Sequence, residues 1–186
     1  MQPSPIHNEA SHGAESSFSV MQRPCVDLVF PYHMHPNYQL NLVVDGKGTR
    51  VVGDHAEYYQ SGDLVLIGPN LPHYWTYDER YKKKYGSGRA VIIHFDKEFA
   101  GDDFISKTEV KPIHDILEQA HRGIFFNSSQ MSNVIAKITE LPQVDPLKRL
   151  IYLINILFEL SKTTHKLLLA GEAYAKNELP DVVLKI

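Results

Sequence analysis

The stretch that decides the fold expected for this chain is Pro31-Tyr-His33-Met-His35-Pro-Asn-Tyr-Gln39-Leu-Asn41-Leu-Val-Val-Asp-Gly46. His33 and His35 are separated by one residue, and side chains at that spacing in a β-strand lie on the same face. Gln39 and Asn41 have the same parity. An unbulged strand therefore directs four polar side chains toward one side of a sheet.

The alternate positions of this stretch are apolar, and they are Tyr38, Leu40, Leu42 and Val44. Four exposed apolar side chains in a row would be a poor surface for a monomer. We therefore expect this second face to be covered by another sheet, by helices from the C-terminal part of the chain, or by a partner subunit.

A second informative segment follows about thirty residues later and reads Gly62-Asp-Leu-Val-Leu-Ile-Gly68-Pro69-Asn70-Leu-Pro72-His73-Tyr-Trp75. It is expected to bring His73 close to the first histidine pair in space. Three imidazoles and one side-chain oxygen that converge inside a small barrel form either a metal site or a polar ligand pocket.

Short β-branched or aromatic runs, separated by Gly, Pro, Asp and Asn, continue from Phe18 to about Phe95. Regularly spaced short strands of this kind indicate a sandwich or a barrel. The predicted strands cover residues 18–22, 27–31, 39–45, 48–53, 55–59, 63–67, 74–77 and 89–95.

After Phe95 the apolar period changes toward 3.6 residues, which predicts helices. Asp145 followed by Pro146 is a good N-cap with proline at the first helical position. The apolar arc of the helix behind it is wide enough to be covered on more than one side. The predicted helices cover 113–120, 129–141 and 145–169.

The two histidine-bearing segments resemble the first and second sequence motifs of cupins. They are more specifically similar to the N-terminal sensor region of AraC/XylS-type transcription regulators, over roughly residues 18 to 186. The residues that carry this likeness are His33-Met-His35-Pro-Asn-Tyr-Gln39-Leu, Gly46-Lys-Gly48, Val52-Gly53-Asp54 and the segment from Gly62 to Trp75. The resemblance implies a mainly β fold, a cupin-like (jelly-roll) β-barrel followed by a C-terminal α-helical subdomain.

The resemblance also implies a division of the chain. We expect an N-terminal tail (1–17), a cupin-like effector-binding barrel (18–111), a helical dimerisation subdomain (112–174), and a linker (175–186) toward a DNA-binding domain absent from this chain. It further implies a homodimer formed through the helix 145–169. DNA would be contacted only through the missing C-terminal helix-turn-helix domain.

The function implied by the resemblance is effector sensing and dimerisation in a bacterial transcription regulator, with a small, sugar-like organic molecule in the barrel. No cofactor is expected, and no catalytic residues are assigned. The side chains predicted to bind the ligand are His33, His35, Gln39, Asn41, His73, Trp75 and His94.

The alternative is a metal-dependent cupin enzyme, an isomerase or a dioxygenase, that holds a divalent transition metal with His33, His35, His73 and the side-chain oxygen of Gln39. Two departures from the cupin pattern weigh against it. Gln39 stands where metal-binding cupins usually have Glu, and Tyr77 stands where the second motif often ends in Asn. The absence of a positioned acid–base pair also argues against an enzyme.

Composition adds limits to these expectations. A net charge of −3 provides no general attraction for nucleic acid, and the basic run Lys82-Lys83-Lys84 is interpreted as a solvated hairpin loop. The single cysteine, Cys25, excludes an internal disulfide and fits a reducing compartment. Because no signal peptide and no membrane-spanning apolar run are recognisable, we predict a cytoplasmic protein without a membrane partner.

Overall fold

The computed structural model describes residues 6–7, 16–25 and 31–175, and these form two sheets with helices packed on one of them. The strands are β1 (Ile6–His7), β2 (Phe18–Arg23), β3 (His33–Met34), β4 (Tyr38–Asp45), β5 (Lys47–Val52), β6 (His55–Gln60), β7 (Leu64–Ile67), β8 (His73–Trp75), β9 (Arg89–Phe95), β10 (Ile124–Phe126) and β11 (Lys166–Leu168). One sheet has the order β1-β3-β8-β5-β6, and the other has the order β11-β10-β7-β4-β9-β2.

The helices are α1 (Glu79–Tyr85), α2 (Lys111–Gln119), α3 (Ser132–Glu140), α4 (Pro146–Lys162) and α5 (Glu172–Ala175). The predicted start of α4 is confirmed: the Asp145 carboxylate accepts a hydrogen bond from the backbone N–H of Lys148, and Pro146 is the first helical residue. Together with the two sheets, these helices confirm the expected class, a mainly β cupin-like barrel followed by a helical part. None of the helices in the described part of the chain is long and apolar enough to cross a bilayer.

The apolar face of β4 is covered by the C-terminal helices of the same chain. Tyr38, Leu40 and Leu42 are buried in one core cluster with residues of α2, α3 and α4, and Val44 packs against that cluster. The sequence was compatible with cover by another sheet, by C-terminal helices or by a partner subunit, and in the structure the helices cover this face. The polar face of β4 consequently points into the space between the two sheets.

The prediction that the long helix continues to about Leu169 is wrong. The helix ends at Lys162, because Thr163 has an extended backbone, and Lys166–Leu168 then pairs as β11 with β10. Residues 112–174 therefore contribute two strands to a sheet as well as helices. A short apolar run is compatible with helix or strand by its pattern alone, and here pairing with a neighbouring strand decides between them.

The basic run at 82–84 is also not a hairpin loop. It lies in the last turn of α1, whose N-cap Asp78 accepts hydrogen bonds from the backbone of Arg80 and Tyr81. Lysines at that end of a helix are favourable for its dipole.

Three predicted segments fall wholly or mostly outside the described residues. They are the strand 27–31, the linker 175–186 and most of the N-terminal tail 1–17. Within that tail, the backbone of β1 pairs in parallel with β3, with Ile6 opposite His33.

Candidate functional site

The strand pairing brings the predicted ligand side chains together inside the barrel. Gln39 on β4 lies opposite His94 on β9, and His33 on β3 lies opposite His73 on β8. All seven residues predicted from the sequence belong to this region, and six of them are buried: His35, Gln39, Asn41, His73, Trp75 and His94. His33 is only partly buried.

Four imidazole rings form a contiguous group, which we call the histidine cluster: His33, His35, His73 and His94. The ring centroids of His33 and His73 are 4.3 Å apart. The ring centroid of His35 lies 5.0 Å from that of His73 and 4.9 Å from that of His94. One ring nitrogen from each of His33, His35 and His73 lies within 4.8 Å of the other two.

Backbone carbonyl groups determine which ring nitrogen carries the proton in three of these histidines. The Nδ1 atoms of His33, His35 and His73 lie 3.0, 3.0 and 2.8 Å from the carbonyl oxygens of Pro31, Asn37 and Leu71, respectively. A carbonyl oxygen only accepts, so Nδ1–H donates in each case. The Nε2 atom of each neutral ring is then left as an acceptor or a metal ligand.

Burial favours the neutral form of three members of the cluster. It lowers the pKa of His33 and His35, and it lowers the pKa of the fully buried His73 well below the usual value of a histidine. The neighbouring imidazoles add to this effect at His73, because a second positive charge nearby is unfavourable. At neutral pH these three imidazoles therefore offer lone pairs rather than positive charge.

The neutral state of His35 determines how the Gln39 amide is turned. One and the same terminal atom of that amide, placed as Oε1, lies 3.0 Å from His35 Nε2 and 2.8 Å from His94 Nε2. A neutral His35 that donates from Nδ1 has no proton on Nε2, and amide oxygen and nitrogen are interchangeable in position. We therefore assign the nitrogen to this position, where its two protons are donated to the two imidazoles. A glutamate could not make this pair of bonds while ionised.

Two buried atoms of the site lack hydrogen-bond partners within the described part of the chain. They are Nε2 of His73, an acceptor, and Nδ2 of Asn41, a donor. Leaving such groups unpaired costs roughly 1–3 kcal/mol each, so their natural complement is a bound molecule or water. These two atoms can bind a molecule that both donates and accepts hydrogen bonds.

The comparison of the sequence with protein-family models agrees with this geometry. Residues 24–151 match the model described as the AraC-like ligand binding domain. The chain belongs to the AraC-like ligand-binding domain family. The matched range includes the two sheets' central strands and every residue of the predicted site.

Solved structures similar to this AraC-like domain include two of ToxT from Vibrio cholerae. The ToxT structure from strain O395 bound to (E)-4-(8-methylnaphthalen-1-yl)but-3-enoic acid is 14% identical, with a TM-score of 0.48, and the match covers 87% of this chain and 64% of that one. The 1.65 Å structure is 13% identical, with a TM-score of 0.47, and the match covers 86% and 61%. The chain thus spans less than two thirds of the ToxT chain.

A cupin 2 conserved barrel domain protein from Rhodopseudomonas palustris is also similar. It is 18% identical with a TM-score of 0.30, and the match covers 46% of this chain and 67% of that one. No sequence of a curated protein matches the chain.

The AraC-like domain contains a second polar group that was not predicted from the sequence. We call it the Arg50 group, and it consists of Arg50, Glu57 and Asp63. The guanidinium of Arg50 on β5 is 1% exposed, and its Nε lies 3.2 Å from Oδ2 of the buried Asp63. Its Nη2 donates to Oε2 of Glu57 at 2.9 Å. The sequence signal that could have found it is parity. Arg50 is two residues from both Gly48 and Val52 in a predicted strand, so its side chain lies on the same inward face as that of Val52.

Trp75 lies between the histidine cluster and the Arg50 group. Its ring centroid is 5.8 Å from that of His73, and its indole N–H points to Oδ2 of Asp63 at 3.5 Å. Burial raises the pKa of the Asp63 carboxyl even though the Arg50 guanidinium attracts its ionised form. The barrel interior therefore has a neutral, imidazole-lined part and a charged part on either side of one indole.

Proposed function

We propose that this chain is the effector-sensing and dimerisation region of an AraC-type bacterial transcription regulator, and that a small, sugar-like organic molecule binds beside the histidine cluster. The observation that carries the proposal is the pair of buried, unpartnered atoms, His73 Nε2 and Asn41 Nδ2, among the described residues of the barrel interior. Hydroxyl groups can satisfy either kind of atom, because they donate and accept. The indole of Trp75 supplies a flat apolar face for the carbon skeleton.

The proposed mechanism is linkage between the ligand and the arrangement of the helices. Strand β4 directs Gln39 and Asn41 toward the ligand, while Leu40 and Leu42 on its other face pack in the helical core. A ligand that binds one position of this strand more tightly than another shifts the helices packed behind it. In the whole regulator, the DNA is contacted by a separate helix-turn-helix domain that responds to this shift.

We expect His73→Ala to weaken binding of the effector by roughly 1–3 kcal/mol, because the ligand loses a buried hydrogen-bond partner. The ligand is first found by a thermal-shift screen of small sugars and organic acids, and its affinity is then measured by calorimetry. His165→Ala, which changes an exposed histidine away from the barrel interior, is the control. A ligand that binds the wild type and the His73→Ala protein equally well contradicts the proposed site.

A metal-dependent cupin enzyme is the second candidate, and the proximity of one ring nitrogen from each of His33, His35 and His73 favours it. These three imidazoles are the residues that would hold a divalent metal, which would supply Lewis-acid chemistry. Their fit is partial. The group contains no carboxylate within the described ranges, and Nε2 of His35 is already bonded to the Gln39 amide.

We expect protein purified without an affinity tag to contain little transition metal, since metal binding has to displace the Gln39 amide from His35. Elemental analysis measures this directly. Near-stoichiometric iron, manganese, nickel or zinc that is lost in His33→Ala and His73→Ala would reverse the choice in favour of the enzyme.

The homodimer proposed for this domain uses the outer face of α4. Leu147, Ile151 and Phe158 are exposed there at positions separated by four and seven residues, which places them on one side of the helix. Leu157, by contrast, is fully buried in the core of its own chain. Leu157 therefore does not face a partner, and a change there tests folding rather than association.

We expect Ile151→Asp to weaken dimerisation at least tenfold, because it places a charge in the centre of the proposed apolar contact. Sedimentation equilibrium measures the association constant. Tyr85→Asp is the matched control, since Tyr85 is 57% exposed, Ile151 is 56% exposed, and Tyr85 lies on α1. A wild-type chain that stays monomeric well above micromolar concentrations contradicts the proposal.

A further inference from the structure

A cavity of about 610 Å³ opens next to the Arg50 group. Its walls come from Arg50 on β5, from β6, from the turn between β6 and β7, from Phe125 on β10, and from residues 127–129 after that strand. The residues that matter for its chemistry are Arg50, Glu57, Asp63, Phe125 and Ser128. None of the residues predicted to bind the effector lines this cavity, and its volume is in the usual range for small-molecule sites.

Arg50 has hydrogen-bonding capacity that the described protein does not use. Its Nε and Nη2 atoms are bonded to Asp63 and Glu57, but its buried Nη1 has no partner among the described residues. A guanidinium has no acceptor, so Nη1 requires an oxygen from a bound molecule or water. The Glu57 side chain, 51% exposed, retains acceptor positions toward solvent.

The charge of the group selects against anions. Arg50 carries one positive charge, and Glu57 and Asp63 carry two negative charges when both are ionised, so an added carboxylate or phosphate meets a net negative site. A cationic ligand fails for a different reason, because it cannot accept from Nη1. A hydroxyl group can accept from Arg50 and donate to Glu57, and neighbouring hydroxyls can do this at the same time.

The rest of the cavity suits the carbon skeleton of such a ligand. The Phe125 ring centroid lies 5.4 Å from the Arg50 guanidinium carbon and gives the cavity an apolar wall. An aromatic ring and serine hydroxyls in one cavity match the alternating apolar and polar faces of a polyol. We propose that this cavity is a second binding site, separate from the histidine cluster, for a neutral polyhydroxylated molecule such as a monosaccharide.

The test compares neutral sugars with their acids on the 186-residue chain. Glucose, galactose and mannose are titrated at pH 7.5, each beside its uronate, and dissociation constants are measured by NMR. At least one neutral sugar is expected to bind. The affinity of its uronate should be at least roughly tenfold lower, because the uronate carboxylate is repelled by Glu57 and Asp63. Glu57→Gln should reduce that ratio to less than about threefold, since the amide removes one negative charge but keeps polar contacts.

Two further variants locate the binding. Ser128→Ala should weaken binding of the neutral sugar about threefold or more. Glu79→Gln, on the exposed face of α1, should leave the dissociation constants of the sugar and of its uronate unchanged. The inference is overturned if no neutral sugar binds, if the uronate binds as tightly as its sugar, or if Glu57→Gln and Ser128→Ala change nothing. The proposal for the histidine cluster is tested through His73, so either proposal can fail alone.

Discussion

Arg50→Met is expected to lower the free energy of unfolding by about 3–5 kcal/mol at pH 7, because it leaves Asp63 buried without its ion-pair partner. Asp63 is 5% exposed, and within the described ranges its carboxylate accepts one further side-chain hydrogen bond, a long one of 3.5 Å from the Trp75 indole. The Met side chain fills a similar volume, so loss of the charge dominates over loss of packing. Urea denaturation followed by circular dichroism measures the change.

The same variant should be relatively more stable in acid. Burial already raises the pKa of Asp63 above its value of about 3.9 in the unfolded chain, and loss of Arg50 raises it further. At pH values between the pKa of Asp63 in the unfolded chain and its pKa in the folded variant, the folded state binds more protons than the unfolded state. The stability of the variant therefore falls as the pH rises through this range. The deficit of Arg50→Met relative to the wild type should therefore be smaller at pH 5 than at pH 7.

Asp63→Asn in the Arg50→Met background is the control for this interpretation. The neutral amide removes the unpaired charge and keeps an acceptor for Trp75, so more than half of the lost stability should return at pH 7. A deficit that is independent of pH and unchanged in the double variant would show that packing, and not charge, accounts for the loss.

Gly48→Ala is expected to destabilise the protein by more than about 3 kcal/mol, above the usual range for overpacking. A Cβ atom at this position would lie 1.9 Å from the carbonyl oxygen of Thr76, a backbone atom that cannot move without separating β5 from β8. That pairing also places Arg50 opposite Trp75 and Val52 opposite His73, so the ligand sites should be disturbed together with the fold.

Gly46→Ala is the matched control, two residues away. Its added Cβ would meet side chains, the nearest being Cys25 Sγ at 3.0 Å, and side chains can adjust. We expect a loss of about 1 kcal/mol. Thermal and urea denaturation of both variants give the comparison, and equal losses would contradict the role assigned to the Thr76 carbonyl.

Turn residues and short strands predicted a sandwich or a barrel, and the family resemblance implied the cupin-like barrel. The two-residue period placed His35, Gln39 and Asn41 on one face of β4 and Leu40 and Leu42 on the other, because the alternation of side chains in a strand is a local property of the backbone. The start of α4 was predictable for the same reason, since Asp145 caps the helix within its first turn.

Other features depend on partners far away along the chain. Arg50 meets Asp63 across the barrel, 13 residues on, and nothing in the local pattern shows that pair. The Gln39 amide bonds a second imidazole, that of His94, which is 55 residues away along the chain. Both Leu157 and Ile151 belong to the wide apolar arc of α4, so the sequence pattern does not show that Leu157 is buried and Ile151 is exposed. Local geometry follows from adjacent residues, whereas burial, charge pairing and hydrogen-bond direction are decided only when distant segments pack together.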